Sequence, residues 1–365
     1  MRDSTRSRAL AALQGLALGD ALGMPTQSLA RERIAADHGR IRGLVAAGPH
    51  QQIAAGMPAG SITDDTEQAV LLARLLIDGD GTVPPGVFAA ELLAWERAME
   101  ARGSLDLLGP STRAALQRLQ DGMPPEEAGR FGATNGAAMR ITPVGIAVPV
   151  EPLGGFVDAV VRVSSLTHNT GLGIASAAAV GAAVSAGLDG ADAPEALDVA
   201  VAAAREGAGR GHWVAGGDIA ARLEWAIPYL LDLAPREQDD ALVRVVGTSV
   251  AAQESVVAAL SLVALAVAGT GSSHRDRPGE DELGARRNGI GATTSPDGDA
   301  AWDALCRAAS LGGDTDTIAA MAGAVLGATW ATDWPRTAVE TVRRVNALEL
   351  EPLVDGLLRV RRRHG

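Results

Sequence analysis

The sequence predicts an all-α fold in one compact domain of nested helices, and three observations carry that prediction. Apolar residues recur at helical spacing in segment after segment. Period-two runs of β-branched residues joined by hairpin turns are missing. The long central segments consist largely of Ala, Gly, Ser and Val, small enough for helix backbones to approach closely.

In chain order, helical periodicity covers Glu67–Ile77, Val87–Met99 after the start signal Pro84-Pro85, and Thr112–Gln120 with Ser111 as its cap. The segment Ala159–Leu166 (AVVRVSSL) is the best strand candidate, although it is also long enough for a helix. Further helices are expected over Glu195–Arg205, over Ile219–Leu231 capped by Asp218, and over Asp239–Ala252 and Val339–Val345. Three uncharged stretches, Gly171–Leu188, Ser255–Gly271 and Ile318–Thr329, fall short of the roughly 20 strongly apolar residues a membrane span needs, and read as buried core helices. The polar segment Ser272–Asp299 is expected to form a mobile surface loop or insertion. No internal repeat and no linker divides the chain, so residues 1–365 read as one domain.

Composition excludes several chemistries. All 32 basic residues are arginine, which removes Schiff-base catalysis and the lysine-bearing phosphate loop. The single cysteine, Cys306, rules out an internal disulfide, a Cys-rich zinc site and an iron–sulfur cluster; it reads as inert packing. A net charge of −12 argues against nucleic acid or an anionic membrane as the main partner. The N-terminus is basic and then apolar, like a signal peptide, but Gln14 and Asp20 interrupt the apolar run; a cytoplasmic location is expected.

Two acidic clusters stand out. Ser61-Ile62-Thr63-Asp64-Asp65-Thr66-Glu67 and Gly312-Gly313-Asp314-Thr315-Asp316-Thr317 each precede an apolar helix. Capping alone explains one such cluster, and Asp64 with Glu67 resembles a capping box. Gly216-Gly217-Asp218 is a control that needs nothing more than a cap. A second carboxylate at a cap only adds repulsion unless a cation lies between. Gathering Asp64, Asp65, Asp314 and Asp316 would match two divalent cations, and the all-oxygen donor set suits Mg²⁺, Mn²⁺ or Ca²⁺. Adjacent Asp64 and Asp65 would point about 100° apart on a helix, so they could face different ions or one could bridge both. The run Gly171-Leu172-Gly173-Ile174-Ala175-Ser176 resembles a dinucleotide fingerprint, but no βαβ pattern surrounds it.

With GLALGDALGMPTQ, SITDDTEQAVLLARLL, LDLLGPSTRAAL, GATNGAAMRITPVG, LTHNTGLG and SLGGDTDTIAAMAGAVLGA in that order, the chain resembles the ADP-ribosylglycohydrolase family, including its dinitrogenase-reductase-activating members. The resemblance implies an orthogonal helix bundle and two Mg²⁺ (or Mn²⁺) ions. It also implies hydrolysis of the bond between ADP-ribose and a protein side chain or small molecule. Thr63, Asp64, Asp65, Asp314, Asp316 and Thr317 become the implied metal ligands, and Asp65 and Asp106 the implied catalytic carboxylates. For Asp106, in Leu105-Asp106-Leu107, capping of the next helix is an equal explanation. Gln27, Asn135, Gly136, Met139, His168 and Gly313 are implied ligand contacts; Arg140 either faces a phosphate or makes a buried ion pair. Many members of the family carry glutamate where this chain has Gln27, and a neutral amide neither accepts a proton nor supplies charge. A catalytically weak or silent relative that binds ADP-ribose or a related nucleotide sugar is therefore the second reading. A metal phosphohydrolase of the HD type is disfavoured, since no His-Asp dipeptide occurs.

Overall fold

The computed structural model describes residues 2–104, 108–272, 296–330 and 333–364. Their regular elements are helices, and three isolated bridges stand in place of strands. In order they are α1 (Arg2–Gly23), α2 (Arg31–His38), α3 (Asp64–Asp78), α4 (Pro85–Ala101), α5 (Pro110–Gln120) and α6 (Pro125–Ala128). There follow α7 (Gly136–Met139), α8 (Thr142–Ala147), α9 (Leu153–His168), α10 (Gly171–Asp189), α11 (Ala193–Ala208) and α12 (Ile219–Leu231). The last are α13 (Pro235–Ala241), a π-helical turn over Leu242–Val246, α14 (Ala252–Ser272), α15 (Pro296–Ala308), α16 (Thr315–Trp330), α17 (Arg336–Asn346) and α18 (Glu351–His364). Buried apolar side chains from Ala9 to Val360 form one contiguous cluster.

The centre of that cluster is α10, α14 and α16, with α1 laid along α16. Gly15, Gly19 and Gly23 recur every four residues and so share one face of α1. A methyl group on Gly19 would lie 2.1 Å from the Ala319 carbonyl oxygen, and one on Gly23 would lie 2.3 Å from the Asp316 Cα. On α16, Gly323 and Gly327 meet Gly15 and Ala11 equally closely. Two backbones therefore touch, and this fixes where α1 passes the start of α16. Gly19→Ala is expected to lose about 1–3 kcal/mol or more by overpacking, in spite of the roughly 1 kcal/mol by which alanine favours a helix. Thermal unfolding checks this, and an unchanged midpoint would show that α1 can move off α16 without cost.

Helix ends follow local chemistry. Asp192 and Glu195 form a reciprocal capping box on α11, and Asp218 accepts from the Ala221 amide at 2.8 Å as a plain cap. Arg8 Nη1 donates to the Gly187, Ala328 and Thr329 carbonyls, tying together the C-terminal ends of α10 and α16. The windows Gly171–Asp189 and Ala252–Thr270 are long and apolar enough to cross a membrane, but the fold buries 94% and 61% of them, the first as a core helix. Cys306 is buried among apolar neighbours, and that burial pushes its thiol up to about 12, as inert packing requires.

The structure corrects five readings. The strand candidate Ala159–Leu166 is the C-terminal half of α9, buried against the core on one face. The helix expected over Asp239–Ala252 is broken: Gly247 adopts φ +93, and its chain crosses to the cleft before α14 begins at Ala252. Ser111 lies inside the first turn of α5, whose cap position is Gly109. The expected loop ends early, since Pro296–Asp299 open α15; residues 273–295 lie outside the described residues. Asp64 and Glu67 form no capping box, because Thr63 is the N-cap and Glu67 is taken by Trp95 Nε1 and by Arg102 at 3.5 Å.

Candidate active site

The break after Gly247, the start of α7 and the starts of α3 and α16 converge on one cleft of about 230 Å³. Asp64, Asp314, Asp316 and Thr317 line it together with Gln27, Thr134, Asn135, Gly136 and Met139, and with Pro110, Arg113 and Val250. The two clusters, some 250 residues apart in sequence, are joined directly: Thr317 Oγ1 donates to Asp65 Oδ1 at 3.1 Å. Val250 is placed there by its backbone, whose carbonyl accepts from the Asn135 amide at 3.0 Å, while the Ala252 amide donates to Ala133.

The carboxylates occupy different depths. Asp65 is fully buried and its Oδ2 has no hydrogen-bond partner. Burial first, and then the negative charges of Asp316, Asp20, Asp64 and Asp314, push its carboxyl well above the ordinary range. Asp314, on the cleft wall, accepts from Asn135 Nδ2 at 2.5 Å, and Asn135 in turn is fixed to Ser255 Oγ at 2.9 Å. Loss of hydration raises Asp314 to about 6, against the lowering effect of its bonds from Asn135 and Thr317.

Thr63 is buried behind this wall. Its Oγ1 accepts weakly from the Asp65 amide and donates to Asp20 Oδ1 at 2.8 Å. Asp20 was not among the candidate residues. It is fully buried on α1 and accepts from both the amide and the hydroxyl of Thr63 and of Thr66, so it clamps the first turn of α3. Burial raises its carboxyl to about 6, and these four donors pull the other way. The available signal was a single carboxylate within the Gly/Ala-rich, largely apolar stretch of residues 9–23, a group that burial tolerates only when it is hydrogen-bonded.

Of the expected ligand contacts, Gln27, Asn135, Gly136 and Met139 line the cleft. His168 and Arg140 do not: both are buried one layer behind it. A methyl on Gly136 would come within 2.9 Å of His168 Cε1, so the glycine backbone stands between that ring and the cleft. Arg140 makes neither a phosphate-facing fork nor the buried ion pair; it donates to Gln68 Oε1 at 3.0 Å and Thr167 Oγ1 at 2.5 Å, and lies 5.1 Å from the Phe88 ring centroid. Gly313, with φ +82, is packed on the Thr248 carbonyl and bridges to Leu29, fixing the loop that delivers Asp314 rather than lining the cleft. Asp106 lies outside the described residues. Gln68, Thr134 and Val250, like Asp20, were missed.

Among the described residues no three His, Cys, Asp or Glu side chains are already drawn to metal-ligating spacing. Instead Asp314 is turned to Asn135 and Asp64 to Gln68. The donor set nevertheless fits hard divalent cations: Asp64, Asp314, Asp316 and Thr317 line one cleft, Asp65 lies against Thr317 with a buried, unpartnered Oδ2, and Thr63 stands behind them with its hydroxyl turned to Asp20.

Fold and cleft thus define an all-α protein with a cleft lined by carboxylates, hydroxyls and amides. The chain belongs to the ADP-ribosylglycohydrolase family, whose model matches residues 1–365. It is 34% identical over 322 residues to the uncharacterized protein YegU of Escherichia coli (strain K12), covering 88% of this chain and 87% of that one. It is 31% identical to the ADP-ribosylarginine hydrolase Tri1 of Pseudomonas putida (strain GB-1), over 54% of this chain and 51% of that protein. The ADP-ribosyl-[dinitrogen reductase] glycohydrolase of Rhodospirillum rubrum is 30% identical over 49% of this chain and 57% of its own length. The chain therefore spans only about half of each of these two named enzymes. A solved ADP-ribosylglycohydrolase-related protein complex superposes with a TM-score of 0.61 at 25% identity, covering 98% of this chain and 99% of that one. The family and these names indicate ADP-ribosyl hydrolase activity.

Proposed function

We propose that the cleft hydrolyses the glycosidic bond joining ADP-ribose to a protein side chain or small-molecule acceptor, in a cytoplasmic setting and with two divalent cations, Mg²⁺ or Mn²⁺. The observation that carries this reading is the junction of the two Thr/Asp clusters at Thr317 and Asp65 around a buried, unpartnered carboxylate oxygen. Asp64, Asp65, Asp314, Asp316, Thr63 and Thr317 would hold the ions. When bound, these would supply positive charge at the ribose hydroxyls and orient the attacking water.

The chain's own groups then have distinct tasks. Asn135 orients Asp314 through a single amide bond and is itself fixed by Ser255. Gly136 lets backbone approach the ligand closely at the cleft wall. Gln27 is 6% exposed with its Nε2 unpartnered, and as a neutral amide it can donate or accept one hydrogen bond but cannot hold the proton of the reaction. Proton acceptance therefore falls to a carboxylate. That same amide favours the second reading, a protein that binds ADP-ribose and turns it over slowly or not at all.

Mg²⁺- or Mn²⁺-dependent release of ADP-ribose from arginine-, serine- and nucleoside-linked conjugates tests the proposal. Turnover of at least one conjugate, lost on chelation, is expected. Binding of ADP-ribose with no turnover of any conjugate would replace the enzyme by the binding protein.

A further inference from the structure

Behind the cleft a line of buried polar groups joins two of its lining residues, Thr134 and Asp64. Thr134 Oγ1 lies 3.0 Å from His168 Nε2, and His168 Nδ1 lies 2.8 Å from Thr167 Oγ1. Arg140 Nη2 donates to that hydroxyl at 2.5 Å and Arg140 Nη1 donates to Gln68 Oε1 at 3.0 Å; Gln68 Nε2 then donates to Asp64 Oδ2 at 2.8 Å. Thr134 and Asp64 both line the cleft, whereas Gln68, Arg140, Thr167 and His168 have almost no exposed surface.

The chemistry of this line has one direction. A guanidinium only donates, so Gln68 must turn its carbonyl to Arg140 and its NH₂ to Asp64. Arginine fixes the amide, and the amide fixes the carboxylate. A direct fork of Arg140 on Asp64 would hold that carboxylate just as firmly but would neutralise it. The intervening amide supplies direction while leaving the negative charge for the cleft. Arg140 is in turn anchored by Thr167 on α9 and by the face of Phe88 on α4, so three elements set the rotamer of one side chain at the start of α3.

We infer that Gln68 and Arg140 are positioning residues, a relay that presents Asp64 to the cleft in one orientation and ties that orientation to a second cleft-lining residue, Thr134, through Thr167 and His168. The inference rests on the proposed reading of Asp64 as a ligand for a divalent cation. Loss of a group that orients a metal ligand typically costs about 10–100-fold in metal affinity.

The test measures Mn²⁺ binding to the full chain by titration calorimetry, with unfolding midpoints recorded alongside. Gln68→Met and Gln68→Leu both remove the donor to Asp64 without placing a new charge beside it. Both are expected to weaken Mn²⁺ at least tenfold, in the range set by oriented ligands. In the Asp64→Asn background the same changes are expected to weaken it no further, which a general loosening of the fold would not reproduce. A wild-type chain that binds Mn²⁺, with either folded variant binding within twofold of it, overturns the relay and leaves the site reading standing. A wild-type chain that binds no Mn²⁺ overturns the site reading and the relay with it.

Discussion

Asp65→Asn is expected to raise the thermal stability of the chain in the presence of a chelator and to remove its hydrolytic activity. Asp65 is buried with one carboxylate oxygen unpartnered and faces the negative charges of Asp316, Asp20, Asp64 and Asp314. An unsatisfied buried polar atom costs about 1–3 kcal/mol, and more when charged. Asparagine keeps the shape and an acceptor for Thr317, cannot ionise, and so removes the like-charge repulsion from the four neighbouring carboxylates. A gain of about 1–2 kcal/mol corresponds to a few degrees at most in a chain of this size. The same change withdraws a negative charge from the proposed cation site, and a fall of about 100-fold or more in ADP-ribose release is expected where charge stabilisation of several kcal/mol is lost. Calorimetry in EDTA and the conjugate assay check the two halves. A lower midpoint would contradict the electrostatic account, and retained activity would remove Asp65 from the site. Opposite signs for stability and activity are the signature of a residue kept for function.

Asp20→Ala is expected to be among the most destabilising single changes in the molecule, at about 3–5 kcal/mol, because it orphans several buried donors at once. The amides and hydroxyls of Thr63 and Thr66 all end on this carboxylate. Asp20→Asn keeps one acceptor oxygen and is expected to lose less. Urea unfolding ranks the three chains, and equal midpoints for wild type and Asp20→Ala would mean that water satisfies the first turn of α3 unaided. The effect should also reach the cleft, since that turn delivers Asp64 and Asp65. Divalent-cation affinity is expected to fall in Asp20→Asn even where the fold survives.

Much of the architecture was legible in the sequence because helical periodicity and helix starts are local properties. Ile219–Leu231 and its Asp218 cap were read to the residue, and the uncharged stretches became core helices. The failures share a cause. Ala159–Leu166 is a strand candidate as well as a possible helix because its β-branched residues have intrinsic β preference, which burial within α9 overrides. The break at Gly247 is invisible to periodicity because it is imposed by contacts to residues 133–135, far away along the chain.

The same division runs through the site. Residue types by themselves limited the chemistry: without lysine and with one cysteine, amines and thiolate clusters were excluded, and the two Thr/Asp clusters offered carboxylates and hydroxyls in their place. Tertiary structure alone decided which of those groups meet and which face the ligand. It joined Thr317 to Asp65, set Asp20 beneath Thr63, put His168 behind Gly136 and buried Arg140 against Gln68 and Thr167. The physical reason is that a charged or polar side chain declares its capacity for hydrogen bonds but not its partner. Whether it meets solvent, ligand or another buried group depends on how closely the backbones around it pack, as the glycine contact of α1 with α16 shows.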